Sequence, residues 1–346
     1  MAQLHAAASA VRIAYDLVWT ETHAPTVDGL VEKRQHDIFN CELIVVSGKG
    51  GVGKTTIVAA LGLVASGCDK ETIVCEVSGQ RRVPALVGHP TAGAPGSEEQ
   101  VAPELWTTTI DPELALVEWA GKLIRPRALL DLAVRSNSFA GFINAAPGGR
   151  ELLTITKAAE LSRDERWDSE AVGYQLVILD APASGHGLAM LKTPTTFAEI
   201  ARVGPIASQA REVEALLADL SRSRVVLVST LEETPVNETL ELDAALRKQL
   251  GRGADLIIAN GLTADGLDDS EIAQLKAAGS AVDSSVESAI EARHARAALQ
   301  QEQLQRLRDG ANCPLIVLPA ITSHAVGPDE VEEIASLLAD QLSQLD

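Results

Sequence analysis

From Cys41 onward, short apolar runs recur along the chain, separated by longer stretches of mixed polarity. The runs Leu43–Ser47, Thr72–Val77, Leu105–Ile110, Gln175–Asp180, Arg224–Thr230, Leu256–Asn260 and Pro314–Pro319 are rich in Val, Ile, Leu and Thr. Near-continuous runs of this kind predict strands buried on both faces of a parallel sheet. Apolar residues spaced by three or four predict helices over Gly53–Ala65, Pro205–Ser221, Pro235–Leu250, Val282–Arg308 and Asp329–Leu345. Val282–Arg308 has few apolar positions and a Glu302/Arg306 pair at i,i+4, which predicts a surface helix. Repeated strand–helix alternation implies an α/β fold with a doubly wound, mostly parallel sheet. Such folds bind ligands at the carboxyl ends of their strands.

Three stretches break the rhythm. Residues 1–40 read as an N-terminal extension, with Leu4, Val11, Ile13, Leu17 and Val18 able to line a short helix ahead of a polar stretch, Glu21 to Gln35. Residues 41–346 read as the main domain. Gly88–Gln100 is rich in Gly, Pro and Glu and predicts a loop. Residues 111–163 read as a helical insertion, built from Asp111–Ile124, Arg127–Val134 and Pro147–Leu161, and contain Trp119, Phe139 and Phe142. Those aromatics serve either a partner surface or the insertion's own small core.

Composition narrows the function classes. The formal charge of −19, from 29 basic and 48 acidic residues, opposes a general grip on nucleic acid or on an anionic membrane. No apolar run has the roughly 20 residues of a membrane span, and no secretory leader is legible. The four cysteines, Cys41, Cys68, Cys75 and Cys313, form no Cys-x-x-Cys pair. They read as small core residues of a cytoplasmic protein, with no visible zinc or iron–sulfur site.

Chemistry enters at Gly48-Lys49-Gly50-Gly51-Val52-Gly53-Lys54-Thr55-Thr56, directly after the first strand. The string fits G-x-x-x-x-G-K-[ST], in which glycines let backbone N–H groups wrap an anion at a helix N-terminus. Lys54 is expected on the β- and γ-phosphates of ATP or GTP, and the Thr55 hydroxyl on Mg²⁺. A second acid, Asp180, ends the apolar run Val177-Ile178-Leu179, where it is expected to hold Mg²⁺ through a water.

Lys49, just after the first glycine, resembles the signature lysine of the deviant Walker A group. The group's members dimerise face to face, so that this lysine reaches the neighbour's phosphates. After Asp180 comes Ala181-Pro182-Ala183-Ser184-Gly185-His186. Together the two motifs resemble the ArsA-type anion-transporting ATPases, the arsenite-pump and tail-anchored-protein-targeting family, in a bacterial form. The resemblance covers roughly residues 41–345. It includes Pro147-Gly148 and Glu232-Glu233-Thr234-Pro235-Val236-Asn237-Glu238, with Asn260 and Leu318-Pro319 each closing a strand.

It implies a Mg-ATP-hydrolysing ATPase that works as a homodimer, or as a heterodimer with a related ATPase, and couples nucleotide state to a conformational change. It also implies a protein client or partner on the helical insertion. Asn260 is implied to read the adenine edge, and the loop from Pro319 to close over the base. The segment Asp180, Pro182, Gly185 and His186 is implied to be switch II, in which His186 senses the γ-phosphate or holds the backbone.

Departures from the family pattern limit what carries over. The switch I aspartate is missing: the expected position falls on Val77 or Ser78, leaving Glu76 as the nearby carboxylate. Hydrolysis is therefore slow, or depends on Glu76, or is completed by a partner. The last case describes a weakly hydrolysing, nucleotide-gated subunit of a heterodimeric complex. The cysteine sets for arsenite or bridging zinc are also absent, and with Met1 and Met190 alone the chain lacks a methionine-rich client groove.

Overall fold

A computed structural model of the protein describes residues 37–77, 81–89, 93–123, 147–201, 203–263, 284–321, 323 and 325–345. All of them fall in one compact unit, Gln35–Asp346. The expected segments 1–36 and Arg127–Val134, with Phe139 and Phe142, lie outside the described residues.

The strands are β1 (Leu43–Gly48), β2 (Thr72–Val77), β3 (Glu99–Ala102), β4 (Leu105–Ile110), β5 (Leu176–Asp180), β6 (Ser223–Thr230), β7 (Leu256–Leu262) and β8 (Leu315–Pro319). They form an eight-stranded sheet in the order β3-β4-β2-β5-β1-β6-β7-β8. All neighbouring pairs are parallel except β3–β4, an antiparallel hairpin at one edge. The helices are α1 (Lys54–Gly67), α2 (Val83–Leu86), α3 (Pro112–Leu123), α4 (Gly149–Leu161), α5 (Ser184–Ala201), α6 (Pro205–Ala218), α7 (Glu233–Leu250), α8 (Ser284–Gly310) and α9 (Pro328–Leu342).

Helices cover both faces, which explains why the central strands are apolar at successive positions. Strand alternation sends Ile44, Val46, Ile178, Val226 and Ile258 to one face, against Ile57, Val58 and Leu61 of α1 and Val331, Ile334 and Leu338 of α9. The intervening residues Leu43, Val45, Val177, Leu179 and Leu227 meet α4, α6, α7 and α8 on the other, through Ile155, Val213, Leu242 and Leu304. The sheet is thus doubly wound about β1, and β1 ends between β5 and β6 where the winding reverses.

Some elements depart from the sequence pattern. β3 occupies the end of the stretch read as a loop to Gln100, where a four-residue edge strand leaves too short a pattern to register. α5 begins inside the Ser184-Gly185-His186 motif and holds Pro194 in its interior, so Gly and Pro conceal its period. α8 lies on the surface as expected, with one narrow buried stripe at Ala297, Gln300, Leu304 and Leu307. Arg306 donates not to Glu302 but to Gln303 Oε1 and Asn237 Oδ1, each at 2.6 Å. Among the described residues no helix is long and apolar enough to cross a membrane.

Candidate nucleotide site

β1 brings the chain to the crevice with no room for side chains. A Cβ on Gly48, whose φ is 150°, would stand 2.1 Å from the Val228 carbonyl oxygen of β6. Gly53 adopts φ 90°, and a Cβ there would lie 2.5 Å from Asn260 Nδ2. Both positions need glycine for steric and backbone reasons. Between them Gly50 and Gly51 are exposed, and α1 begins at Lys54. Exposed backbone ahead of a helix N-terminus suits an anion.

Lys54 lies inside this turn, its Nζ donating to the carbonyls of Gly48 at 3.0 Å and Lys49 at 2.9 Å. Burial lowers its pKa, and Asp180 partly restores it. Thr55 Oγ1 donates to Asp180 Oδ2 at 2.6 Å, joining the two motifs that sequence placed 125 residues apart. Burial raises the Asp180 pKa, against the opposing pull of the Thr55 hydroxyl, Lys54 and Arg82. A hydroxyl and a partly desolvated carboxylate in contact form a hard oxygen pair. That pair fits Mg²⁺, which takes one or two protein oxygens and completes its shell with phosphate and water.

Glu76 is 3% exposed and stands in register beside Asp180 on the adjacent strand. Its Oε1 accepts from the Arg82 backbone N–H at 2.8 Å, and its Oε2 from that of Val83 at 3.2 Å. Both oxygens thus anchor the start of α2. Burial raises its pKa, ahead of the lowering by those N–H groups, and the charge of Asp180 raises it further. Of the two positions expected for a switch I acid, Val77 is half-buried at the end of β2 and Ser78 is outside the described residues.

Lys49 turns away from its own loop. Its Nζ lies 2.5 Å from Glu238 Oε1, while Glu238 Oε2 accepts from Ser184 Oγ at 3.0 Å. The Lys49 pair and the Ser184 bond hold the Glu238 carboxyl below its ordinary range. In the segment expected to be switch II, Pro182 is half-buried, whereas Gly185 and His186 are exposed on the first turn of α5. The His186 backbone N–H donates to Ala183 O at 2.9 Å. α5 packs closely on β1: a Cβ at Gly187 would lie 2.5 Å from Ser47 Oγ, which is buried without a partner.

Pro319 ends β8, whereas Asn260 lies two residues before the end of the adjacent strand β7, which runs past the expected end at Asn260 to Leu262. Asn260 Nδ2 donates to Val52 O at 2.9 Å, so its amide braces the phosphate loop. The cysteines are free, and burial raises the pKa of each, to about 11 for Cys41 and Cys313. They sit as small hydrophobes rather than thiolates. Trp119 lines a separate cavity of about 690 Å³ with Trp167 and Gln209, and this cavity shares no residue with the phosphate loop. Sequence reasoning assigned no task to Glu238, Ser47 or Gly187, since each acquires its neighbour only through the fold.

Residues 41–203 match the profile of the anion-transporting ATPase family, described as ArsA ATPase. The chain is 28% identical over 234 residues to ATPase BagA of Mycobacterium tuberculosis, a match covering 63% of this chain and 65% of that protein. A candidate ATPase of Mycobacterium bovis matches with the same identity and coverage. A candidate arsenical pump-driving ATPase of Halobacterium salinarum is 24% identical over 301 residues, covering 84% of this chain and 43% of that protein. The matched stretch is therefore under two thirds of the length of each of these relatives.

Proposed function

We propose, from the match of residues 41–203 to the anion-transporting ATPase profile, that the protein is a cytosolic, Mg-dependent ATPase acting as a dimer. In this reading nucleotide state sets the conformation of the switch segments, and that change governs binding of a protein client or partner. The observation that carries the reading is the Thr55–Asp180 contact beneath the glycine turn that encloses Lys54.

When bound, Mg²⁺ would neutralise charge between the β- and γ-phosphates. The chain's own residues do the rest. Glycine-turn N–H groups and Lys54 bind the phosphates, and Thr55 and Asp180 hold the cation. Lys49 of the facing subunit supplies positive charge to the transferring phosphoryl group. Asn260 borders the base, and Pro319 begins the loop beside it. Because α5 starts four residues after Asp180 and packs on β1 through Gly187, a change at the metal end moves the α5 helix, which contacts α4 and α6.

The test is steady-state Mg-ATP hydrolysis by the purified chain over a range of protein concentrations. Turnover per chain is expected to rise with concentration. ATP binding with no turnover at any concentration would sink the self-sufficient dimer. It would favour the alternative, a nucleotide-gated subunit of a heterodimeric complex, and the commitment of both Glu76 oxygens to backbone N–H groups is the observation on that side.

Two substitutions refine the site. Asp180→Asn is expected to lower turnover by about a hundredfold or more, the size of losing several kcal/mol of charge stabilisation. A carboxyl whose pKa is raised on folding contributes its stability below the unfolded pKa and loses it as pH rises through the folded one. The nucleotide-free Asp180→Asn protein should therefore melt no lower than wild type at pH 7, measured by calorimetry. Glu76→Gln cannot accept from both Arg82 and Val83 with equal strength, since one of its terminal atoms becomes a donor. It should lower thermal stability, and a turnover unchanged within twofold would exclude Glu76 from catalysis.

A further inference from the structure

The Glu238 carboxylate of α7 joins the loop that carries Lys49 to the start of α5. One oxygen holds Lys49 of the phosphate loop at 2.5 Å, and the other holds Ser184 at the start of α5 at 3.0 Å. Glu238 itself stands on a fixed platform. Pro235, Val236 and Thr239 around it are buried, and Asn237 accepts from Arg306 of α8 at 2.6 Å. The Lys49 and Glu238 side chains are 32% and 33% exposed, so the pair is open enough to exchange partners.

An ammonium paired with a carboxylate of its own subunit is not available to a phosphate elsewhere, because its charge is already matched and its geometry set. We propose that Glu238 is a positioning residue that holds Lys49 in cis, and that Ser184 makes this hold depend on switch II. With Ser184 in place the carboxylate is oriented toward Lys49. When the segment between Asp180 and Ser184 shifts, the carboxylate loses its second anchor, and Lys49 is free to face a second copy of this chain. The inference rests on the dimeric reading above and adds to it a contact that opposes dimerisation until switch II moves.

The experiment is sedimentation of the full chain with Mg²⁺ and a non-hydrolysable ATP analogue. It compares wild type, Glu238→Gln, Lys49→Ala and the double variant, with melting temperatures taken as a check on folding. Glutamine keeps the shape and an acceptor for Ser184 but removes the charge that holds Lys49. Glu238→Gln is expected to tighten self-association by on the order of two- to fivefold, the size a partly exposed ion pair allows. Lys49→Ala should weaken it, and adding Glu238→Gln to Lys49→Ala should change nothing more.

Lys49→Ala weakening association while Glu238→Gln leaves it unchanged, or weakens it too, would overturn the cis hold and leave the dimeric reading standing. The same tightening in the Lys49→Ala background would also overturn it, by showing that Glu238 acts on something other than Lys49. No nucleotide-dependent association in any variant would defeat the dimeric reading, and this inference with it. A Ser184→Ala variant that associates like wild type would remove the link to switch II.

Discussion

Lys49→Ala is expected to lower Mg-ATP turnover by about a thousandfold and to leave ATP affinity within about threefold of wild type. The expected size follows from what a cation brought to a transferring phosphoryl group contributes, about 10³ to 10⁵ in rate. The split between turnover and affinity follows from where the two loop lysines stand. Lys54 is enclosed by the glycine turn, bonded to the carbonyls of Gly48 and Lys49, and is placed to meet any phosphate bound there. The Lys49 ammonium is bonded to Glu238 outside that turn. Its removal takes nothing from the binding cradle of its own subunit, whereas Lys54→Ala should abolish binding and turnover together. Single-turnover hydrolysis beside fluorescent-nucleotide titration separates the two quantities. A Lys49→Ala protein that retains more than a tenth of wild-type turnover would show that this lysine does not act on the transition state.

What could be read from the sequence divides by how local the determinant is. The glycine turn between β1 and α1 was legible because glycine spacing, a lysine and a threonine hydroxyl are all set within nine residues, and the structure keeps that string together at the end of β1. Asp180 was legible because an apolar strand ending in an acid is itself a local pattern. The nearness of Asp180 to the Thr55 hydroxyl was expected from the shared cation the two motifs imply, and parallel pairing of β1 with β5 makes it a direct bond. Glu238 lay in a recognised stretch, yet its task depends on α7 packing so that one carboxylate faces two loops. Glu76 shows the opposite case. The strand pattern left its direction open, register then placed it beside Asp180, and the backbone turn into α2 takes both of its oxygens. The start of α5 was hidden because Gly185, Gly187 and the interior Pro194 are poor helix formers. Its helicity comes from tertiary packing of Met190 and Leu191 rather than from propensity.

The largest expected loss of stability lies away from the nucleotide, at Glu160. This residue of α4 is fully buried, with Oε1 accepting from Arg166 Nε at 2.8 Å and from the Trp167 backbone N–H at 2.6 Å. Its Oε2 accepts from Lys157 Nζ at 2.9 Å. Lys157 also reaches Glu118 of α3 at 2.5 Å, and Arg166 reaches Glu98 at 2.6 Å. One carboxylate thus centres a network joining α3, α4 and the segment ahead of β3. Glu160→Ala leaves two desolvated cations each with one remaining acid, and removing one partner from a buried pair costs about 3–5 kcal/mol. The retained bonds to Glu118 and Glu98 place the loss near the lower end, a fall of several degrees in Tm. Burial alone would raise the Glu160 pKa, but Lys157, Arg166 and the Trp167 N–H outweigh it and hold the carboxyl below its ordinary 4.5. A depressed carboxyl contributes its full stability above the unfolded pKa and loses it as pH falls through the folded one. The gap between wild type and Glu160→Ala, measured by urea unfolding, should therefore be constant from pH 8 to about pH 5 and close below 4.5. A gap that widened on acidification would mean that burying the Glu160 charge costs more than Lys157, Arg166 and the Trp167 N–H return, so that the neutral carboxyl is the better tolerated form.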